Sequence, residues 1–357
     1  MLPLIFFRHL MVNNSMNSFK NEILSLGLAE QPENLLWYQD DIPFAKRSSP
    51  TQKFSRHLAK VQRQPLSFSE EAILAAKKIG AAQGRKITIL ASGGSDSEAV
   101  IHSFLRAQVP FQIVAIDFSS VNVDELAYLK HFCKLNGLTF QTIHIDIKKF
   151  WEQELESIAL TSGSVSPQIC AILSVIDRLD EYAVVGDGDI DIFEQNDRFY
   201  DTWGEKWAYA AWMLETKHPG CPAFFSYTSE LEASMYLDPM VEDFVNEGWA
   251  AIGHSRFHVV KPYFYYHHFG LRFRPKIDIF QPIRDLDLQW RKFLAQKMPG
   301  ADSYYSIELD LIKKMKLGTL GDSKTALINY SDLLTEKKEK FIVPLEQGQH
   351  LILRNSP

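Results

Sequence analysis

The chain has 357 residues, 46% of them hydrophobic and 23% charged, with a formal net charge of −6 at pH 7. That length supports one large or two ordinary domains with ample core, and the acidic balance excludes a general basic field for non-specific nucleic-acid binding. Its three cysteines, Cys133, Cys170 and Cys221, are scattered without a C-x-x-C pair, which argues against structural zinc, a redox motif or a disulfide framework and points to the cytoplasm.

The opening run Met1–Phe7 is apolar but stops at Arg8-His9. It is too short to span a bilayer and lacks the basic flank and small-residue cleavage site of a secretion signal, so no membrane role is expected. Residues 17–66 are mixed and polar, with prolines at 32, 43, 50 and 65. They read as an irregular arm with one helix around Ser18–Leu28. Ser69 to Ala82 reads as a capped helix, with Ser69 as N-cap, Glu70 and Glu71 in the first turn and Lys77-Lys78 near the end.

From there the pattern alternates. Strand-like runs fall at Ile87–Leu90, Phe111–Ile116, Thr139–Ile145 and Tyr182–Val185, and helical patterns at Ser97–Arg106, Val123–Leu135, Lys148–Ile158 and Pro167–Leu179. Strands alternating with helices predict an α/β protein, a parallel twisted sheet with helices on both faces. Ligands of such sheets sit beyond the carboxyl ends of the strands. The loop at Ser92, Asp117 and the Gly186 region all fall at predicted strand ends, which suggests one shared site.

The loop itself reads Ser92-Gly93-Gly94-Ser95-Asp96-Ser97 and directly follows the first strand. Its glycines let main-chain amides approach an anion, its serines add hydroxyl donors, and the helix beyond adds positive potential. Asp96 offers a carboxylate for the magnesium of a nucleotide. No Gly-Lys-Ser/Thr follows, so the loop is not a Walker A loop, and it lacks the G-x-G-x-x-G of a dinucleotide fold. The fourth strand runs into Gly186-Asp187-Gly188-Asp189-Ile190-Asp191, where clustered aspartates imply either a metal shell or a solvated acidic turn.

Beyond residue 196 the sequence is rich in aromatics, as in Trp203, Trp207, Trp212 and Tyr263–Phe269. A mainly helical layer packed on the sheet is expected, its aromatic run forming core rather than a stacking platform for bases. Residues 321–357 read as a helix followed by a hairpin turning at Gln347-Gly348. His254 and His258 share a helical spacing but have no third ligand in sequence, so packed or solvated histidines are the better reading. Asp124-Glu125 opens a helix and is explained by the helix dipole.

The loop resembles the Ser-Gly-Gly-x-Asp-Ser signature of the PP-loop ATP pyrophosphatases. With the acidic run, Glu230–Glu242 and Arg274–Pro282, the order of motifs over roughly residues 69–285 is most similar to the synthetase domain of asparagine synthetase. The resemblance implies an adenine nucleotide alpha hydrolase-like fold and an ATP-dependent ligase. Such an enzyme adenylates a carboxylate and releases AMP and pyrophosphate as a nitrogen donor forms the amide.

By motif, Ser92, Gly93, Gly94, Ser95, Asp96 and Ser97 would hold the ATP phosphates, with Gly186 near the nucleotide or acyl group. Asp117, at the end of the second strand, either touches the ribose or caps a loop, and ligand proximity is the better reading. Asp96 and Asp191 would bind Mg2+, and Lys276 would neutralise the departing pyrophosphate. Glu232 and Tyr200 are candidate bases for the amine. The chain departs from the pattern at Glu98, where a Ser or Thr is usual, at Ile190 in the acidic motif, and at Ser234 in place of an arginine.

The resemblance omits the glutaminase domain, so ammonia would come free, on a substrate, or from a separate partner. The expected division is an N-terminal arm (1–68), a nucleotide-binding domain (69–195), a helical substrate-side region (196–300) and a C-terminal tail (301–357). Two other readings stand beside the ligase. One is adenylation of tRNA or a deazapurine, whose enzymes commonly carry cysteine sets absent here. The other is a non-catalytic nucleotide- or partner-binding module.

Overall fold

The computed structural model describes residues 17–30, 35–39, 42–44, 53–56, 61, 63–82, 84–118, 122–162, 164, 167–187, 192–195, 198–202, 207–241, 257–271 and 327–329. At its centre lies a five-stranded parallel sheet built from β4 (Ile87–Leu90), β5 (Gln112–Phe118), β6 (Gln141–Ile145), β7 (Tyr182–Val185) and the short β10 (Gly220–Cys221), in the order β10-β7-β4-β5-β6. The chain moves outward from β4 through β5 to β6, then returns to the other side of β4 as β7. This reversal of strand order is where open α/β sheets form their ligand crevice.

Period-two alternation sorts the strand side chains onto two faces. Ile87, Ile89, Ile113, Ala115, Tyr182 and Val184 enter one core, while Leu90, Val114, Phe118, Ala183 and Val185 enter the other. The first core is closed by α2 (Phe68–Ala82), α3 (Ser95–Ala107), α4 (Val123–Leu135), α9 (Ser229–Tyr236) and α10 (Phe257–Phe269). The second is closed by α1 (17–26), α5 (Ile147–Gln153), α6 (Leu155–Ser162), α7 (Pro167–Ile176) and α8 (Trp207–Thr216). The α/β class, the parallel sheet with helices on both faces and the helical C-terminal layer are therefore present.

Several predicted elements resolve differently. Helix α2 starts at Phe68, so Ser69 lies inside its first turn and is not its N-cap, and residues 327–329, expected in the helix of the tail, form a strand. The single helix expected over Lys148–Ile158 is two helices meeting at Glu154. Phe150 and Leu155 are both buried, and a spacing of five would rotate Leu155 off the buried stripe of one continuous helix. The arm, expected to be irregular apart from its helix, also contains an antiparallel sheet of β1 (Leu35–Gln39), β2 (Ile42–Phe44) and β3 (Lys53–Arg56) in the order β2-β1-β3. A further antiparallel sheet joins β8 (Ile192–Gln195), β9 (Arg198–Thr202) and β11 (Leu327–Asn329).

The aromatic run of α10 is core, as expected: Phe264, Tyr265 and Phe269 are buried while Tyr266 is exposed. Phe68 receives them, with ring centroids 4.9 Å from Phe264 and 5.7 Å from both Phe225 and Phe269. No helix among the described residues is long and apolar enough to cross a membrane. The hairpin expected near Gln347-Gly348 lies outside the described residues.

Candidate functional site: a glycine-serine loop at the carboxyl edge of the sheet

The loop begins where β4 stops pairing. Ala91 N–H still donates to Val114 O at 2.9 Å, then Ser92–Gly94 turn the chain into α3. Gly93 has φ +85°, and a Cβ there would lie 2.3 Å from the main-chain oxygen of Glu125. Only glycine meets both conditions. Gly94 is the N-cap residue in extended conformation, and no side chain caps the helix. The first-turn amides of α3 therefore lack the capping acceptor that many helices carry, which suits an incoming anion. The serines set the loop's shape: Ser92 N–H donates to Ser97 Oγ at 3.1 Å, the two hydroxyls are 3.2 Å apart, and Gly94 N–H makes a longer bond of 3.3 Å to Ser92 Oγ.

A cleft of about 190 Å³ opens beside the loop, over the carboxyl ends of β4, β5 and β7. Leu90, Ile116, Phe118 and Val185 give it apolar walls, and Ser92, Ser97, Gly186 and Asp187 form its polar rim. Gly186 permits the close approach of β7 to α3: a Cβ there would sit 3.2 Å from Val100 Cγ2 and 3.6 Å from Ser97 N.

The first turn of α4 contributes Asn122 and Glu125 to the same cleft. Asn122 is pinned to the end of β5, its Oδ1 accepting from Phe118 N–H at 2.9 Å and its Nδ2 donating to Ile116 O at 2.8 Å. Glu125 is buried, and loss of solvent pushes its carboxyl up to about 7, partly opposed by hydrogen bonding from Asn122. A carboxyl titrating near neutrality in a cleft marks a functional-site candidate. In sequence Glu125 is only a carboxylate in a helical first turn. Its depth arises because Gly93 packs against its own main chain.

Of the residues expected at the site, Ser92, Ser97 and Gly186 meet on the cleft, and Gly93, Gly94 and Ser95 shape the loop. Asp96 turns the other way. Its Oδ2 accepts from Lys261 Nζ at 2.8 Å and its Oδ1 from Tyr265 OH at 2.6 Å, both on α10. Asp117 is not among the cleft residues and pairs through Oδ2 with His144 Nδ1 at 3.0 Å on β6. Glu232 is buried within α9, whose first turn is capped by Thr228 Oγ1, and does not line the cleft.

Glu98, a departure from the expected motif, is buried; burial of the Cys133 thiol, helped by the charge of Glu98, pushes that thiol up to about 11. Asp191, Lys276 and His254 lie outside the described residues, and Tyr200 and His258 are described by backbone alone.

Magnesium on a nucleotide ordinarily takes one or two protein carboxylates, with phosphate oxygens and water completing its shell. Among the described residues no group of three or more His, Cys, Asp or Glu gathers for a metal. Asp96, at the start of α3, is a donor of the right chemistry for the sparse requirement of a nucleotide-bound ion.

Fold and site together define an α/β protein with a cleft at the carboxyl edge of its parallel sheet, bounded by a glycine-serine loop. No family model and no curated protein matches the chain. Among solved structures, the chain is similar to an NH3-dependent NAD synthetase from Campylobacter jejuni subsp. jejuni NCTC 11168 in complex with the nitrate ion. The identity is 12% and the TM-score 0.30, over 70% of this chain and 93% of that chain. At that score the likeness assigns no residue a role.

Proposed function

We propose that this chain is an ATP-dependent amide-forming ligase of the PP-loop type, adenylating a carboxylate and releasing AMP and pyrophosphate when a nitrogen donor attacks. The observation that carries the reading is the uncapped start of α3 behind Gly93-Gly94, opening onto a cleft at the strand-order reversal. First-turn amides and the Ser92 and Ser97 hydroxyls would take phosphate oxygens. The apolar walls from Leu90, Ile116 and Phe118 suit the nucleoside. Lys276 would neutralise the departing pyrophosphate, since charge developing on the leaving group is what such a site must stabilise. Magnesium, held by Asp96 with Asp191, would supply further charge neutralisation when bound.

The reaction class is tested by incubating the protein with Mg-ATP and a panel of carboxylates with ammonia or amines, then identifying the nucleotide product. AMP with pyrophosphate, lost in Asp96→Ala, supports the ligase, and asparagine from aspartate and ammonia supports its asparagine synthetase-like form. ADP as product overturns the reading. A second reading, a nucleotide-binding module without turnover, is favoured by Ser234. Its hydroxyl donates to Leu231 O within its own helix at 2.7 Å, at a place where the resembled family carries an arginine. Tight ATP binding with no product is the outcome that selects it.

A further inference from the structure

The contact between Asp96 and α10 joins residues 165 and 169 positions apart. Lys261 and Tyr265 are one helical turn apart, so their side chains leave α10 on the same side. Both end on the same carboxylate. The side chain of Lys261 is only 13% exposed and that of Asp96 28%. The helix that carries them is fixed independently: its aromatic side chains pack on Phe68, and Arg106 Nη2 of α3 donates to Phe269 O at 2.8 Å. A rigid element thus sets a compact cation at the first turn of α3.

The position of that cation is more informative than its contribution to stability. Asp96 already benefits from the helix N-terminus and from the Tyr265 hydroxyl. The ammonium is a further partner, and its three rotatable donors can be redirected without moving the helix. A lysine on Asp96 also opposes a divalent ion at the same carboxylate, because two cations cannot share it closely without strong repulsion.

We propose that Lys261 is a stored phosphate-binding cation: paired with Asp96, it passes to polyphosphate oxygens on binding and frees the carboxylate for a divalent ion, while Tyr265 keeps Asp96 oriented. The proposal rests on the reading of Ser92–Ser97 as a phosphate loop. It makes release of Asp96 and capture of phosphate one event. Lys261 leaves its counter-charge only when another anion receives it, since a partly buried carboxylate stripped of its partner is costly.

Two binding measurements test this in the full chain. The first uses manganese alone, followed by its paramagnetic signal. The unaltered chain should show no tight site at Asp96. Lys261→Met should gain one manganese site per chain, and adding Asp96→Asn should remove it. The second uses pyrophosphate in the presence of a chelator, where Lys261→Met should weaken binding about tenfold or more, the scale of one charge-assisted contact.

If Lys261→Met does not fold, Lys261→Arg serves: it should keep pyrophosphate affinity within a fewfold and gain no manganese site. A Met variant that gains no manganese site, or an Arg variant that gains one, overturns the proposal. Unchanged pyrophosphate affinity in the Met variant overturns it too. Absence of pyrophosphate binding in the unaltered chain overturns the phosphate-loop reading and the transfer with it. The manganese measurement then still decides whether Lys261 keeps a divalent ion from Asp96.

Discussion

Gly93 carries two constraints at one backbone position, a positive φ and a main-chain oxygen 2.3 Å from where a Cβ would be. A left-handed conformation costs an L-residue roughly 1–2 kcal/mol, and the clash falls on backbone that cannot rotate away. Gly93→Ala should therefore destabilise the fold by about 3 kcal/mol or more, the range of strain at a special backbone position. Gly84 has no atom within 4 Å of its would-be Cβ, so Gly84→Ala is the control and should shift the denaturation midpoint little. Equal midpoints for the two variants in a denaturant titration would show that the loop does not depend on this contact.

Glu125 gives a pH dependence of definite sign. Its carboxyl is raised by burial to about 7 from an ordinary value of 4.5, so the folded chain holds this proton more tightly than the unfolded chain. Its stabilising contribution is complete below about pH 4.5, declines as pH rises, and is lost above about pH 7. Glu125→Gln removes the titration while keeping the shape. Relative to the unaltered chain it should gain stability between pH 5 and pH 8, by up to about 3 kcal/mol if the whole shift is expressed. A stability difference independent of pH would show that the carboxyl is solvated.

At this scale the sequence revealed much of the loop and little of its surroundings. Ser92–Ser97 were legible because two glycines after a β-branched strand have few other uses. Glu125 and Lys261 were not, since each acquires its setting from a contact far along the chain.

Among the elements, α2 and α10 show how the aromatic sequence is used. Phe68 is fully buried and meets Phe225, Phe264, Tyr265 and Phe269. Removing it would leave a cavity among rings that cannot collapse far, so Phe68→Ala should cost about 3–5 kcal/mol. Because this cluster seats α10, the loss should also loosen Lys261 and Tyr265 from Asp96. Faster hydrogen exchange along 257–269 than along α5 would report it, whereas a uniform change over both would place the damage elsewhere.

Glu71 anchors the same, N-terminal end of α2. It accepts a fork from Arg63, with one arm at 2.7 Å, and a bond from Leu66 N–H at 2.7 Å. Periodicity revealed the helices because their buried stripes are long. It missed β10, which has two residues, and the sheet of β1–β3, whose short strands lie among prolines and carry too few alternations to register. It also merged α5 with α6, since a break at Glu154 becomes necessary only when Phe150 and Leu155 must reach the same core.

On the scale of the whole molecule, the return of the chain from β6 to β7 brings three distant segments to one opening. Ser92 and Ser97 arrive after β4, Asn122 and Glu125 after β5, and Gly186 with Asp187 after β7. Each lies at a carboxyl end because every strand of the sheet runs the same way, so the alternation of strands and helices already dictated where such an opening would form. Which loop residues would turn inward was not contained in that alternation. Asp96 turns toward α10 and Asp117 toward His144, although both sit at the same edge.

A nucleotide seated in this cleft must touch all three segments, and ligand contact lowers the opening of whatever it bridges. Hydrogen exchange with saturating Mg-ATP should therefore slow together over 92–98, 122–126 and 186–187, while α1 and α6, on the far side of the second core, exchange as before. Slowing confined to 92–98 would mean that the loop holds a phosphate without the cleft holding its nucleoside. Uniform slowing would mean that the ligand acts through global stability, and the cleft would lose its claim to the site.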